Sequence, residues 1–355
     1  MSQPLRLRAA ALAALSTLIF ANASARAQTE HHTLAGDRVS IYNLAGKVKV
    51  QGGTGADVAI DVTRGGRDAA QLRIAKGDLR GASTLRVVYP GDRIVYGELR
   101  ARTRTSMRVN ADGTFDDRDA AWDSRNRVEI RDSGSGLEAH ADMVISVPKG
   151  KRIVVHWGAG EATVSNVDGD IHVSVGAGPV ASEHTRGTLR LDTGTGGLTV
   201  SDAQGTVSLE TGSGGVTLNG IQGQSLDLDT GSGTVRGSNI KVSELKLETG
   251  SGGLRLDQIE AGRVSAESGS GGIELSFVAP VTDLTADAGS GGVTVRVPAA
   301  QGGEIDIETG SGGVDTDFAV TTSRLARNHL RGTIGTGKAR IRIESGSGTV
   351  RLLKN

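Results

Sequence analysis

Beyond residue 150 the chain alternates apolar and polar positions in short runs, as in Leu226-Asp227-Leu228-Asp229 before a glycine bend and Val216-Thr217-Leu218 after one. A period of two marks strands with one buried face. Aligned on the first glycine of each bend, the runs repeat: LDTGTGGLTV from 191, LETGSGGVTL from 209, LDTGSGTVRG from 228, LETGSGGLRL from 247, AESGSGGIEL from 266, ADAGSGGVTV from 286, IETGSGGVDT from 307 and IESGSGTVRL from 343. Gly194, Gly212, Gly231, Gly250, Gly269, Gly289 and Gly310 stand 18 to 21 residues apart. Weaker copies lie at Gly158 (GAGE) and Gly176 (GAGP), and the longer interval before Gly346 holds 321–329 as an insertion in one coil.

One such unit cannot bury its own apolar face, whereas stacked units bury a continuous column of Leu, Val and Ile. The pattern predicts an all-β chain, a β-solenoid (β-helix) of roughly ten or more coils about 4.8 Å apart. A second bend near Asn219-Gly220 or Gln222-Gly223 returns the chain for the next coil. A hairpin sandwich or a propeller also gives alternating strands and glycine turns, but a propeller blade needs about twice this period.

The domains expected are 1–27 as a signal peptide, 28–150 as an N-terminal β region with an irregular insertion at 90–135, and 151–355 as the regular repeats. In the middle part Val39-Ser40-Ile41 and Gly46-Lys47-Val48 look like a first coil, with further strands at 58–62, 85–88 and 143–148. The insertion reads as an extended hairpin or loop. At the start, Arg6 and Arg8 precede an apolar run from Ala9 to Phe20, and Ala25-Arg26-Ala27 or Ala23-Ser24-Ala25 fits a small-x-small cleavage site. The rival is an uncleaved anchor. No later stretch is long and apolar enough for a transmembrane helix, so an exported protein, periplasmic or at the surface, is expected.

Composition narrows the class. The chain has 53 glycines, 3% aromatic residues and no cysteine, with 40 basic and 40 acidic residues. Abundant glycine with only 6 prolines favours tight turns over collagen, and a narrow core needs few aromatics. Disulfides, thiolate metal sites and a lipid-modified cysteine are excluded. The balanced charge gives no reason to expect nucleic acid.

VSIYNLAGKVKV near the start, ADMVISVPKGKRIVV in the middle and the LETGSGGV units together resemble the bacterial putative-adhesin family, exported or membrane-associated β-solenoid proteins of mostly unassigned function. The resemblance spans nearly all of the chain after the signal. It implies a binding or cell-surface role and names no ligand.

Two clusters are candidates for contact chemistry. The residue two before each turn glycine is acidic: Asp192, Glu210, Asp229, Glu248, Glu267, Asp287, Glu308 and Glu344. Stacked about 5 Å apart, like charges repel and recruit cations, which makes this column a candidate weak Ca²⁺ ladder. The plainer reading is a solvated face neutralised by Arg190, Arg236, Lys246 and Arg255. The second cluster, Arg100, Arg102 and Arg104, alternates along one strand face. It either contacts an anionic glycan or head group, or pairs with the Asp-rich stretch after it.

No catalytic centre and no cofactor are expected. Gly332–Lys338 fits a phosphate-loop spacing, but Ala339 stands where the hydroxyl belongs and a strand follows instead of a helix. Asn110–Gly113 resembles part of a calcium loop whose closing acid is absent at Ala121. His31 and His32 fall in a terminus expected to be mobile. His156, His172 and His184 sit at different offsets from their turn glycines and need not share a face. The turn serines repeat in register, whereas a nucleophile should be singular. A non-enzymatic adhesin-like binding or structural protein is expected, its partner a surface protein or a glycan. End-to-end self-association is also expected, because a bare solenoid end exposes unpaired strand edges. The alternatives are an envelope-stress accessory and a carbohydrate-active β-helix enzyme.

Overall fold

The computed structural model describes residues 29–99, 104–115 and 126–355. The segment expected to be a signal peptide, Arg100, Arg102 and most of the Asp-rich stretch lie outside the described residues. The rest is a β-solenoid whose coils stack in parallel and in step. One buried pre-turn column runs Ile41, Val155, Val173, Leu191, Leu209, Leu228, Leu247, Ala266, Ala286, Ile343, Ile307 through successive neighbouring strands. Each of these side chains is at most 2% exposed. Across the turn a second column runs from Val48 through Ala162, Val180, Leu198 and Val216 to Val293 and Val350. Burying one Leu, Ile or Val is worth about 1.5–3 kcal/mol, so a coil with only a few of them depends on its neighbours.

The turn glycines answer to stacking more than to backbone conformation. A Cβ at Gly214 would lie 1.9 Å from the carbonyl oxygen of Gly196 in the coil below, and one at Gly252 would lie 1.7 Å from that of Gly233. The threonine before the turn points inward. Thr211 Oγ1 donates to the Gly196 carbonyl at 3.1 Å and Thr249 Oγ1 to that of Gly233 at 3.4 Å, while the Gly252 amide donates to Thr249 Oγ1 at 3.0 Å. The Thr249 hydroxyl thereby serves its own turn and the turn of the preceding coil. The second bend uses both of its expected positions. Asn166, His184, Asp202, Gly220, Asn239 and Gln258 hold the left-handed corner on successive coils, with φ from +51° at His184 to +69° at Gly220, and Gly223 follows at +149°. Short polar residues and glycine tolerate that region best.

The N-terminal region caps one end. Arg38–Ala45 and Val48–Gly53 form the first coil, on which Ala82–Val88 and His140–Pro148 stack in parallel. Antiparallel strands close that end: Arg73–Leu79 on the former, then Val58–Gly65 and Thr29–Leu34 beyond the latter. His31 and His32, expected in a mobile terminus, therefore lie in a paired strand, with His31 Nδ1 2.6 Å from Asp61 Oδ1. The insertion folds as a separate three-stranded sheet, Arg93–Val95 parallel to Asn126–Arg131 and Arg104–Val109 antiparallel to it. Its apolar face, with Ile94, Val109, Phe115, Val128 and Ile130, packs on Leu44, Ala45, Ala159 and Ala177 at the turn edge of the first coils.

At the other end the chain order and the stacking order part. The last coil, Ala339–Ser345 and Val350–Lys354, inserts between Asp283–Ala288/Val293–Val297 and Gly303–Thr309/Val314–Thr316. The interval at 321–329 becomes an antiparallel hairpin, Val320–Ala326 with His329–Ile334, laid against Gly303–Thr309. That end is thus a hairpin edge carrying Arg324 and a bulge between Thr322 and Arg324, two devices that discourage edge-to-edge pairing.

Candidate functional site at the junction of the inserted sheet and the coils

Because the strands run in step, the acids align. Asp192 neighbours Glu210, which neighbours Asp229, and the column continues through Glu248, Glu267 and Asp287. Glu344 then stands between Asp287 and Glu308.

Compensation along this column is uneven. Arg190 donates from Nε to Asp192 Oδ2 at 3.1 Å and reaches Glu210 from Nη2 at 3.4 Å, and His172 Nε2 lies 2.6 Å from the same Asp192 oxygen. The hydrogen bond and the charge of Asp192 hold the Arg190 guanidinium above its ordinary pKa. Lys246 pairs with Glu248 at 2.7 Å, and Glu248 likewise raises its ammonium. Arg342 pairs with Glu344 at 2.5 Å. Asp229, Glu267 and Asp287 form no ion pair among the described residues. Arg255, expected as a neutraliser, stands on the post-turn face and pairs with Glu274 at 2.7 Å. Asp229, Glu248, Glu267 and Asp287 line a shallow acidic trough of about 420 Å³. Among the described residues no three His, Asp or Glu side chains converge where they would hold one metal ion.

The compensated end of the column opens into a larger groove of about 880 Å³, walled on one side by Met107, Arg108 and Phe115 of the insertion. Its coil side carries His156, His172, Ser174, Arg190, Asp192 and Glu210. The His156 ring stacks flat on Tyr42 at 4.4 Å between centroids and meets His172 edge-on at 6.4 Å. Phe115 stands edge-on to both Tyr42 and His156, at 5.9 and 6.2 Å. His156 and His172, whose offsets from the turn left a common face open, share this one. They sit two and four residues before their turn glycines, and an even difference keeps the same side of a strand. His184 is elsewhere, on the left-handed corner, 3.5 Å from Asp202.

Local contacts fix the insertion as the groove wall. Asp112 accepts from the Thr114 amide at 3.0 Å and pairs with Arg86 Nη1 at 2.9 Å. Burial alone would push its carboxyl up, but the Thr114 and Arg86 hydrogen bonds outweigh that and hold it below the ordinary value. Tyr89, at the root of the insertion, donates to Asn43 Oδ1 at 2.7 Å, and Asn43 Nδ2 bonds the Ala45 and Ala141 carbonyls. Arg104 pairs with Glu129 on the adjacent strand of the inserted sheet.

An open parallel β-solenoid with one inserted sheet defines the class of protein. Within that class the chain belongs to the Toastrack DUF4097 family, whose model matches residues 124–353. A crystal structure of a putative cell adhesion protein from Clostridium sporogenes aligns with 92% of this chain and 99% of that chain, at 10% identity and a TM-score of 0.20. No curated protein matches the chain. No helix among the described residues is long and apolar enough to cross a membrane.

Proposed function

We propose that this protein is a non-enzymatic, extracytoplasmic, adhesin-like binding protein that holds a surface protein or glycan in the groove between the inserted sheet and the first coils. The observation that carries this reading is the groove itself. It is the place where a second structural unit turns a repetitive rod into a concave surface with aromatic, basic and acidic walls. Its charged groups are engaged with one another: Asp192 Oδ2 takes both His172 and Arg190, and Arg190 also reaches Glu210. Such a surface offers hydrogen-bond donors and acceptors with little net charge, which suits recognition of a polar partner. The amino-terminal signal pattern supports export, and the acidic trough beyond Glu210 is a secondary surface for weak Ca²⁺ binding.

Two measurements test the reading. Alkaline phosphatase, which is active only outside the cytoplasm, is fused after residue 355. Activity that needs residues 1–27 is expected, and activity absent in the full fusion overturns the location. Purified protein is then applied to a glycan array and to isolated cell envelopes, beside Arg190→Ala and His156→Ala variants. Retention of the parent with at least tenfold weaker retention of both variants is expected. Equal retention of all three proteins, or turnover of a glycan by the parent, overturns the binding role assigned to the groove.

A further inference from the structure

The terminal coil fills a slot between two coils that are consecutive in sequence. Asp283–Ala288/Val293–Val297 and Gly303–Thr309/Val314–Thr316 are joined by residues 298–302 alone, yet they are held two levels apart. Gln301, 2% exposed, spans part of that gap: its amide accepts from the Val281 amide at 2.9 Å and donates to the Val281 carbonyl at 3.2 Å, where a strand would otherwise pair. Until residues 339–354 arrive, the slot presents two unpaired strand edges facing each other.

The inserted coil is held by the contacts of the repeat and by a few terminal bonds, such as the Lys354 amide to Asp317 Oδ1 at 2.9 Å, all of which a second copy offers equally. Ile343 sits between Ala286 and Ile307, and Val350 between Val293 and Val314, by the same ladder and the same apolar columns as every other coil. The turn contacts are those of the repeat: Ser345 Oγ to the Gly291 carbonyl at 2.8 Å and Thr309 Oγ1 to the Gly348 carbonyl at 2.8 Å. The link into the slot is short and crowded. Residues 335–338 carry the chain from Ile334 on one side of Gly303 to Ala339 on the other. Gly335 has φ +50°, and a Cβ at Gly337 would lie 2.6 Å from the Gly302 carbonyl oxygen. The link is four residues long and leaves no room for a side chain at Gly337, and short hinges of this kind invite domain exchange.

We propose that the slot is an interaction surface for a second copy of this chain, and that two molecules pair by reciprocal exchange of residues 339–355. Exchange preserves every ladder bond and every buried column while opening the crowded 335–338 link. It joins two solenoids through their C-terminal ends and places two grooves on one particle, so a multivalent surface is gripped more tightly than either groove alone grips it. The pairing stands whatever the groove binds.

Thr285 and Arg342 are outward-facing register partners across the slot, and the chain has no native cysteine. Neighbouring strand positions are within reach of a disulfide. The purified Thr285→Cys/Arg342→Cys protein is unfolded, refolded at rising concentration, oxidised and run on a non-reducing gel. A covalent dimer whose share grows with refolding concentration is expected. Lengthening the 335–338 link by four residues should lower that share several-fold. Light scattering on the unmodified protein after the same refolding is the parallel readout. Monomer at every concentration overturns the proposal, as does a dimer by scattering whose cysteines join only within one chain.

Discussion

The coils under the inserted sheet and the open coils beyond them solve one turn in two ways. The tip residue is Ala45, Ala159 and Ala177 under the sheet, and in the same column Thr195 and then Ser213 where the turn meets water. The covered tips are buried, and the glycines beside them are pressed from above as well as below: a Cβ at Gly158 would come within 2.9 Å of Ile130 Cδ1, and one at Gly176 within 3.0 Å of Met107 Cε. The inward position differs too. Open coils place Thr211 or Thr249 there, whereas the second coil places Trp157, whose indole Nε1 donates to the Gly46 carbonyl at 2.7 Å. The bond to the preceding turn is kept by a different group. Stacking is thus a demand on every coil, and the tip residue reports what lies over it.

If stacking governs all coils alike, its loss should be the most damaging change. Gly214→Ala puts a methyl 1.9 Å from the Gly196 carbonyl, while Gly215→Ala meets nothing nearer than 3.5 Å. The first should cost about 3 kcal/mol or more and the second within about 1 kcal/mol, read from urea unfolding midpoints. Equal effects would mean the glycines are there for turn conformation and not for coil spacing.

The cover itself is tested by placing the same bulky charge at equivalent tips. Ala177→Arg forces a guanidinium under the inserted sheet and should cost about 3 kcal/mol, with faster protease cleavage of the insertion. Ser213→Arg faces water and should change stability by about 0.5 kcal/mol or less. A tolerated arginine at Ala177 would show that the sheet rests loosely on the coils and that the groove has only one firm wall.

The inward hydroxyl should matter less than either. Thr249→Val keeps the shape but leaves the Gly233 carbonyl and the Gly252 amide without their partner, a loss of about 1–2 kcal/mol. Thr249→Ser should be close to neutral. Trp157→Phe removes the corresponding bond in the covered region but also a larger buried ring. Faster hydrogen exchange at the Gly252 amide in Thr249→Val is the specific mark of the lost bond.

Much of this was legible in the sequence because parity and offset are physical quantities in a parallel stack. A residue at a fixed distance from the turn glycine has a fixed face, so the carboxylate column and the apolar columns follow from period two. The same parity also placed Thr211 and its equivalents inward and His156 with His172 on one face, and those two signals were available but passed over. The stacking order was not legible. Coils with nearly identical sequences accept one another equally well, so nothing local says that residues 339–354 lie between 297 and 303. Nor does repeat reasoning reach the insertion, where pairing is set by packing on the turn edge and where GAGE and GAGP read as degraded copies of the motif rather than as fitted ones.

The smallest effect expected concerns charge, and it divides the two regions again. At the covered end Asp192 has two basic neighbours, Arg190 and His172, both on Oδ2, whereas in the open trough Glu248 alone of four carboxylates has a cationic partner, Lys246. Divalent cations should therefore favour the open region. With no three-ligand convergence, affinity should be on the order of millimolar, so a few millimolar Ca²⁺ stabilises the fold by about 1 kcal/mol. The rise in thermal midpoint over a chelated sample should vanish when Asp229, Glu267 and Asp287 are changed to their amides, and persist when Asp192→Asn is made instead. A rise that survives the triple change but is lost in Asp192→Asn would move the cation into the groove, where His172 and Arg190 would have to release that carboxylate first.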